Sequence, residues 1–465
     1  MRRQGAEPAL GDQLKNPWQP GMTRTRTPIA RSGCTLRQSQ RQATRTDSPC
    51  LRRRSALVIL PITFGLGCLS VVQAQETIRM SLASAQAAEA RRQAAASVGY
   101  YNLKLGPTGW RFASSLGVEY NDNVRLVEEG QEGDFIFRPA VSTQMLWPVT
   151  DKNTLNLTMG VGYSAYVRNL DLSRLYIAPG SELSFDLYVG DVWVNLHDRF
   201  YITENSYQDP TVTGTGNYSR LENVAGATAT WDLNKAIVRA GFDHVNYLAL
   251  SGASGQPDGQ SELVWASLGY ALKPGMITGV ELGGGLLNYR GTNVLYPNAK
   301  QWNAGVFFES QVSEYIHLRV SGGHTDYAPE GGAATNGVSD FTGFYGQLEI
   351  QHRVNEFLDY TLSAGRSISF AFYGGSVDLI SARLMANWNI LRKVSLGTTL
   401  QYEHGNELTG VREIFDRYGA SIHLARTLTA KLSAGLGYEF WWRTSDVAGR
   451  DYTVNVVSLN LSYRF

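Results

Sequence analysis

VVSLNLSYRF (residues 456–465) is the stretch on which the chain ends, and its side chains sort by parity. Val457, Leu459, Leu461, Tyr463 and Phe465 are apolar, whereas Ser458, Asn460, Ser462 and Arg464 are polar. Successive strand residues point to opposite faces, so this is a strand with one greasy and one wet face. The same alternation recurs upstream in TLNLTMGVGYSAYV (154–167), KVSLGTTLQYE (393–403) and TAKLSAGLGYEFWW (429–442). A half-buried sheet explains any one of them. Their number and their connections decide the fold.

Eighteen such segments run from 109–120 to 451–465, each of 11–16 residues. Globular strands have a mode of about 5–6 residues, whereas a tilted membrane strand needs about 9–11. The joins alternate in length. PVTDKN (148–153), GD (190–191), DLNK (232–235), KPG (273–275) and LRK (391–393) are short. NDNVRLVEEGQEGD (121–134), SGASGQPDGQ (251–260) and APEGGAATNG (328–337) are long. Short turns at one end and long loops at the other are the asymmetry of outer-membrane barrels. An open sheet edge in lipid leaves backbone groups unsatisfied. The expected fold is therefore all-β: a closed antiparallel transmembrane β-barrel of about 18 strands, with sixteen the nearest alternative. Aromatic residues near strand ends fit interfacial girdles: Trp110, Tyr120, Trp147, Tyr163, Trp231, Trp302, Trp388, Trp441, Trp442 and Tyr463. A soluble sandwich or propeller has no need of them.

The near-zero net charge of +1 conceals two unlike parts. Residues 1–54 carry a net +9, residues 55–74 carry none, and the remainder carries −8. Arg52–Arg54, the apolar run Ala56–Val72 and the Val72-Gln73-Ala74 step read as a signal peptide over 51–74, cleaved before Gln75. Residues 1–50 lack apolar periodicity and read as a disordered extension or a mis-assigned start. Residues 75–108 are expected to form a periplasmic helical leader, with its helix over the Ala-rich 80–97, and 109–465 the barrel. Cys34, Cys50 and Cys68 all lie upstream of the cut. Disulfide frameworks, cysteine–zinc sites and cysteine nucleophiles are thereby excluded from the mature chain.

The terminal strand resembles the assembly signal of bacterial outer-membrane barrels, carried by Val457, Leu459, Leu461, Tyr463 and Phe465. A second resemblance rests on WRFASSLGVEYNDNVRL (110–126), a first strand running into Tyr120-Asn121-Asp122-Asn123-Val124. This is similar to the opening of a family of outer-membrane β-barrel porins whose members are often associated with exopolysaccharide or capsule systems. It implies an outer-membrane location and, as partners, lipid, lipopolysaccharide and the barrel assembly machinery. It also implies an exopolysaccharide or related polar solute as cargo, with periplasmic polysaccharide export components beside it. The extension at 1–54 is basic but removed with the signal, so nucleic acid is not an expected partner.

No catalytic or metal motif and no cofactor site emerges. The seven histidines show no HExxH or paired-ligand spacing, and the GGG at 283–285 lies within a strand, with no helix behind it. Glu128, Glu129, Glu132 and Asp134 in the first loop are a candidate for divalent cations, with a solvated loop the simpler reading. Parity places Arg111, Glu119, Arg138, Asp186, Arg199, Arg239, Asp243, Glu281, Glu309, Arg319, Glu349, Arg353, Arg383, Glu403, Arg417, Lys431 and Glu439 on the wet face, lining a lumen. Both signs are interspersed, whereas a strongly ion-selective pore lines its constriction with one sign. That pattern suits a wide polar conduit, or a self-paired network that narrows the pore. The expected function is an outer-membrane channel. The rival is a non-conducting anchor or surface-binding barrel, and an enzyme with a Ser–His–Asn cluster at the outer rim is a distant third.

Overall fold

The computed structural model describes residues 101–202, 205–217, 219–250, 258–290, 298–330, 340–370, 376–408 and 412–465, all within one compact unit, Leu60–Phe465. The extension, the signal and the 80–97 helix lie outside the described residues. A short strand β1 (Leu103–Leu105) leads into β2 (Thr108–Asn121), β3 (Asp134–Pro148) and β4 (Thr154–Tyr166). Then come β5 (Arg174–Ile177), β6 (Glu182–Val189), β7 (Val192–Ile202), β8 (Arg220–Asp232), β9 (Ala236–Ala249) and β10 (Asp258–Lys273). The series continues with β11 (Met276–Arg290), β12 (Ala299–Gln311), β13 (Ile316–Pro329), β14 (Phe341–Arg353) and β15 (Leu358–Phe370). It ends with β16 (Ser376–Leu391), β17 (Val394–Glu407), β18 (Ile414–Thr427), β19 (Leu432–Ser445) and β20 (Tyr452–Arg464).

Apart from β5 and β6, each strand pairs antiparallel with its sequence neighbour, and β20 returns to pair β2 from Ala113↔Arg464 to Asn121↔Val456. The terminal strand thus closes the ring, and no free edge is left at that seam. β5 and β6 share one position: β5 pairs the upper half of β4, β6 its lower half, and both pair β7. Pro179, which has no N–H to give a ladder, and Gly180 at φ +91° mark the break. Ser181 bridges it, its hydroxyl accepting from the Gly160 N–H (3.1 Å) and donating to the Ala178 carbonyl (2.8 Å). With that pair counted once and β1 set aside, the barrel has eighteen strands. Residues 101–107, read from sequence as the end of the leader, include β1, which folds back on Thr108–Trp110 through Gly106 at φ +58°.

Three of the short joins turn through a left-handed residue: Gly190 (φ +62°), Asn234 (φ +69°) and Gly275 (φ +77°). Along the strands the expected apolar parity faces outward. Val457, Leu459, Leu461 and Tyr463 are exposed, as are Leu436, Val306 and Leu268 on other strands. Eight of the expected girdle aromatics are exposed too, but Trp441 is 7% exposed and turned to the interior. Adjacent strand residues cannot share a face, so Trp441 and its outward neighbour Trp442 split between the two sides. Among the described residues no helix is long and apolar enough to cross a membrane.

Candidate functional site: the barrel interior

The long β7–β8 connection does not stay at the rim. Residues 205–217 enter the interior, where Tyr207, Thr211 and Val212 are buried. Their anchors come from strands well removed around the ring. The Arg417 guanidinium of β18 donates to the Tyr207 and Gln208 carbonyls (2.9 and 3.2 Å), and Arg443 of β19 to the Pro210 carbonyl (3.2 Å). Arg138 of β3 donates to the Asn205 side chain (2.7 Å). Each of these arginines also holds a carboxylate: Glu403 at 2.6 Å, Glu413 at 2.7 Å and Glu119 at 3.2 Å, respectively. Charge-assisted bonds of this kind are the strong ones, and a buried charge is tolerated only when so paired. An apolar seam completes the dock: Leu126, Tyr207, Val212, Trp441, Tyr452, Val454 and Val456 form one buried cluster. The backbone at Gly216 runs so close to the Val124 carbonyl and Leu172 that a side chain there would collide with them.

A layered unit supports the clamps. Arg417 lies 4.2 Å from the Trp441 ring centroid, and Trp441 lies flat on Gly419, its partner across the ladder. Arg443 over Phe415 over Gly405 repeats the arrangement (4.3 Å), as does Arg319 over Phe307 over Gly279 (5.3 Å). The glycine gives the ring room against the wall, and the ring gives the guanidinium a cation–π platform.

The opposite wall carries a second polar network. Arg319 contacts Glu309 (3.1 Å) and Glu281 (3.8 Å), and His317 lies 3.2 Å from Glu309. Tyr345 reaches across Gly323 and Gly305 to donate its hydroxyl to Glu281 (2.8 Å). Asp243 sits 2.7 Å from His197, Arg199 3.8 Å from Glu182, and Asp186 accepts from Asn195 (2.7 Å). Glu349 accepts from Gln351 (2.6 Å), and Arg111 donates to Gln144 (3.1 Å). Glu439 lies 3.8 Å from His423, and Arg239 is half-buried on β9. Arg383 stands in the field of Glu403, Arg417 and Glu439, while Arg353 is exposed at the end of β14. Lys431 does not join the interior set. It lies in the turn before β19, exposed, with its ammonium 6.0 Å over the outward Tyr463 ring.

Sequence parity passed over Arg443, although Glu439 and Arg443 are of one parity on one strand and so share a face. It also missed Glu413 and the whole inward segment, because nothing in 205–217 marks a loop that folds in. In the first loop the four carboxylates do not converge. Glu132 pairs with Arg125 (3.1 Å), and Asp134 is buried and accepts the Arg168 and Asn169 backbone N–H groups (3.0 and 2.7 Å). Among the described residues no group of His, Cys, Asp and Glu is arranged to hold a metal.

Tyr120-Asn121-Asp122-Asn123-Val124 has a specific place: it extends the closing seam. The Asp122 carboxylate accepts both the Asn455 N–H and the Asn455 side-chain amide at 2.7 Å. Asn123 donates to the Thr453 carbonyl (3.1 Å) and exchanges two hydrogen bonds with Val127 (2.7 and 3.1 Å). The turn tendency of Asn and Asp is used here to clasp the first strand to the last.

Residues 111–465 match the model of the family described as "Putative beta-barrel porin 2". No curated protein sequence matches the chain. Similar solved structures include OpdL of Pseudomonas aeruginosa (12% identity, TM-score 0.42, 78% of this chain and 100% of that one). A BenF-like porin of Pseudomonas fluorescens Pf-5 aligns with 10% identity and TM-score 0.45, again over 78% and 100%. OccAB4 of Acinetobacter baumannii aligns with 11% identity and TM-score 0.43, over 78% and 99%.

Proposed function

This chain belongs to the "Putative beta-barrel porin 2" family, and we propose that it is an outer-membrane channel passing small polar solutes of little net charge. The carrying observation is the state of the interior charges. Glu119–Arg138, Glu182–Arg199 and Glu403–Arg417 neutralise one another at the wall, and Arg319 stands between the carboxylates of Glu309 and Glu281. A lining of that kind gives no long single-sign ladder to draw one class of ion. Eighteen strands also enclose more space than their own side chains fill.

An intact exopolysaccharide strand, the cargo implied by resemblance, is not part of this reading. Residues 205–217 lie inside the barrel, and three arginines hold them there. The proposed cargo is of sugar size, hydrogen-bonding to the same polar lining while that segment stays docked. Liposomes carrying the purified full-length chain should swell in isosmotic glucose or serine, and the rate should fall steeply for tri- and tetrasaccharides. Equal rates across that series would speak for a polymer conduit, and no swelling for the non-conducting anchor.

A further inference from the structure

One ladder of the barrel wall is shorter than its neighbours. β14 pairs β13 up to Tyr327↔Phe341, and β15 pairs β16 up to Phe370↔Ser376, so both strands run on toward the long loops. Between them, the ladder among the described residues ends at Gly346↔Arg366. Continued in register, it would set Phe344 opposite Ile368 on one face of the sheet. Instead Phe344 is 73% exposed on the outside, while Ile368 is 4% exposed in an interior cluster with Leu287, Ala299 and Tyr327. The two strands have parted by that level, with β15 leaning inward.

The surroundings of the gap define what it can pass. On its outer lip, Phe344 meets His324 (ring centroids 5.9 Å apart), which meets Trp302 (5.4 Å). An outward aromatic row near the long-loop ends marks the membrane interface. Backbone groups freed from pairing there meet headgroups and water, not hydrocarbon. Its inner side is the apolar cluster, packed against Tyr247, Tyr289 and Phe341. Arg366 of β15 holds Asp378 of the paired strand β16 through two hydrogen bonds (3.0 and 2.8 Å), and its guanidinium reaches across to lie 5.6 Å over the Phe341 ring of β14. We infer that the slot between β14 and β15 is a lateral portal, passing an apolar or amphipathic small molecule between the outer leaflet and the barrel interior. A hydrated sugar gains nothing from these walls, so the portal is distinct from the axial path proposed above.

The test uses the full-length chain with Cys34, Cys50 and Cys68 replaced by serine, in lipid nanodiscs. Cysteines at F344C/I368C are compared with L348C/A364C, a register pair of the same parity. Copper–phenanthroline oxidation should close the second pair and leave the first open; equal closure of both would overturn the inference. A photoactivatable diazirine fatty acid in the nanodisc should label the interior Tyr289 and Tyr327 as well as the outer Phe344. Tethering F344C to I368C with a flexible bis-maleimide should reduce the interior labelling at least fivefold. Labelling confined to the outer face, or interior labelling unchanged by the tether, would also overturn it. Conductance, measured on the same preparation, reports the axial path independently.

Discussion

Arg417→Ala should free the inward segment. The Arg417 side chain is fully buried, pairs with Glu403 at 2.6 Å and satisfies the Tyr207 and Gln208 carbonyls. Truncation strands Glu403 in the interior and leaves two carbonyls without their donor. Removing one member of a buried pair costs about 3–5 kcal/mol, and each unsatisfied buried group about 1–3 kcal/mol. Trp441 also loses its cation. If only ~3 kcal/mol of this falls on the docked state, the docked-to-undocked ratio drops roughly 150-fold, at tenfold per 1.4 kcal/mol. Single-channel recording in a planar bilayer should then show larger and noisier openings than the wild type. Heat-modifiable mobility on a gel serves as the check that the barrel itself is folded. A folded Arg417→Ala barrel with wild-type conductance and wild-type noise would refute the reasoning.

Asp122→Ala removes both 2.7 Å bonds to Asn455 at the closing seam and should cost about 1–3 kcal/mol, read as a lower urea midpoint at unchanged slope. Gly419→Ala drives a methyl group into the Trp441 ring, whereas Gly435→Ala meets nothing nearer than 3.7 Å. The first should lose about 1–3 kcal/mol of unfolding free energy and the second much less, so equal losses would dismiss the ring-on-glycine reading. Leu459→Arg puts a charge on the lipid face at 48% exposure and should cost about 2–4 kcal/mol if that site is near the bilayer midplane. Asn460→Arg, on the opposite face, should be milder in the same titration.

The barrel was legible because membrane strands obey a period of two without relief. VVSLNLSYRF, TLNLTMGVGYSAYV and the alternating joins gave strand number, pairing order and faces from spacing alone. What stayed hidden depends on contacts far apart in sequence. Arg417 meets Tyr207 across 210 residues, and no local pattern announces that the β7–β8 loop folds inward. Trp441 reads as girdle from its place near a strand end, where parity with Glu439 already turns it inside. Lys431 went the other way, because the strand begins one residue later, at Leu432. The Asn-Asp-Asn run looked like a turn and is a clasp, since its partner strand is the last in the chain. Glycine opposite an aromatic on the neighbouring strand was visible in principle, but only after the register was known.

The most direct test of the central claim is single-channel recording of the purified full-length chain in a planar bilayer under a tenfold KCl gradient. The account predicts discrete conductance steps with a reversal potential near zero, since the interior charges are paired. A strongly shifted reversal potential would contradict the neutral lining, and the absence of steps from folded, inserted protein would contradict the channel.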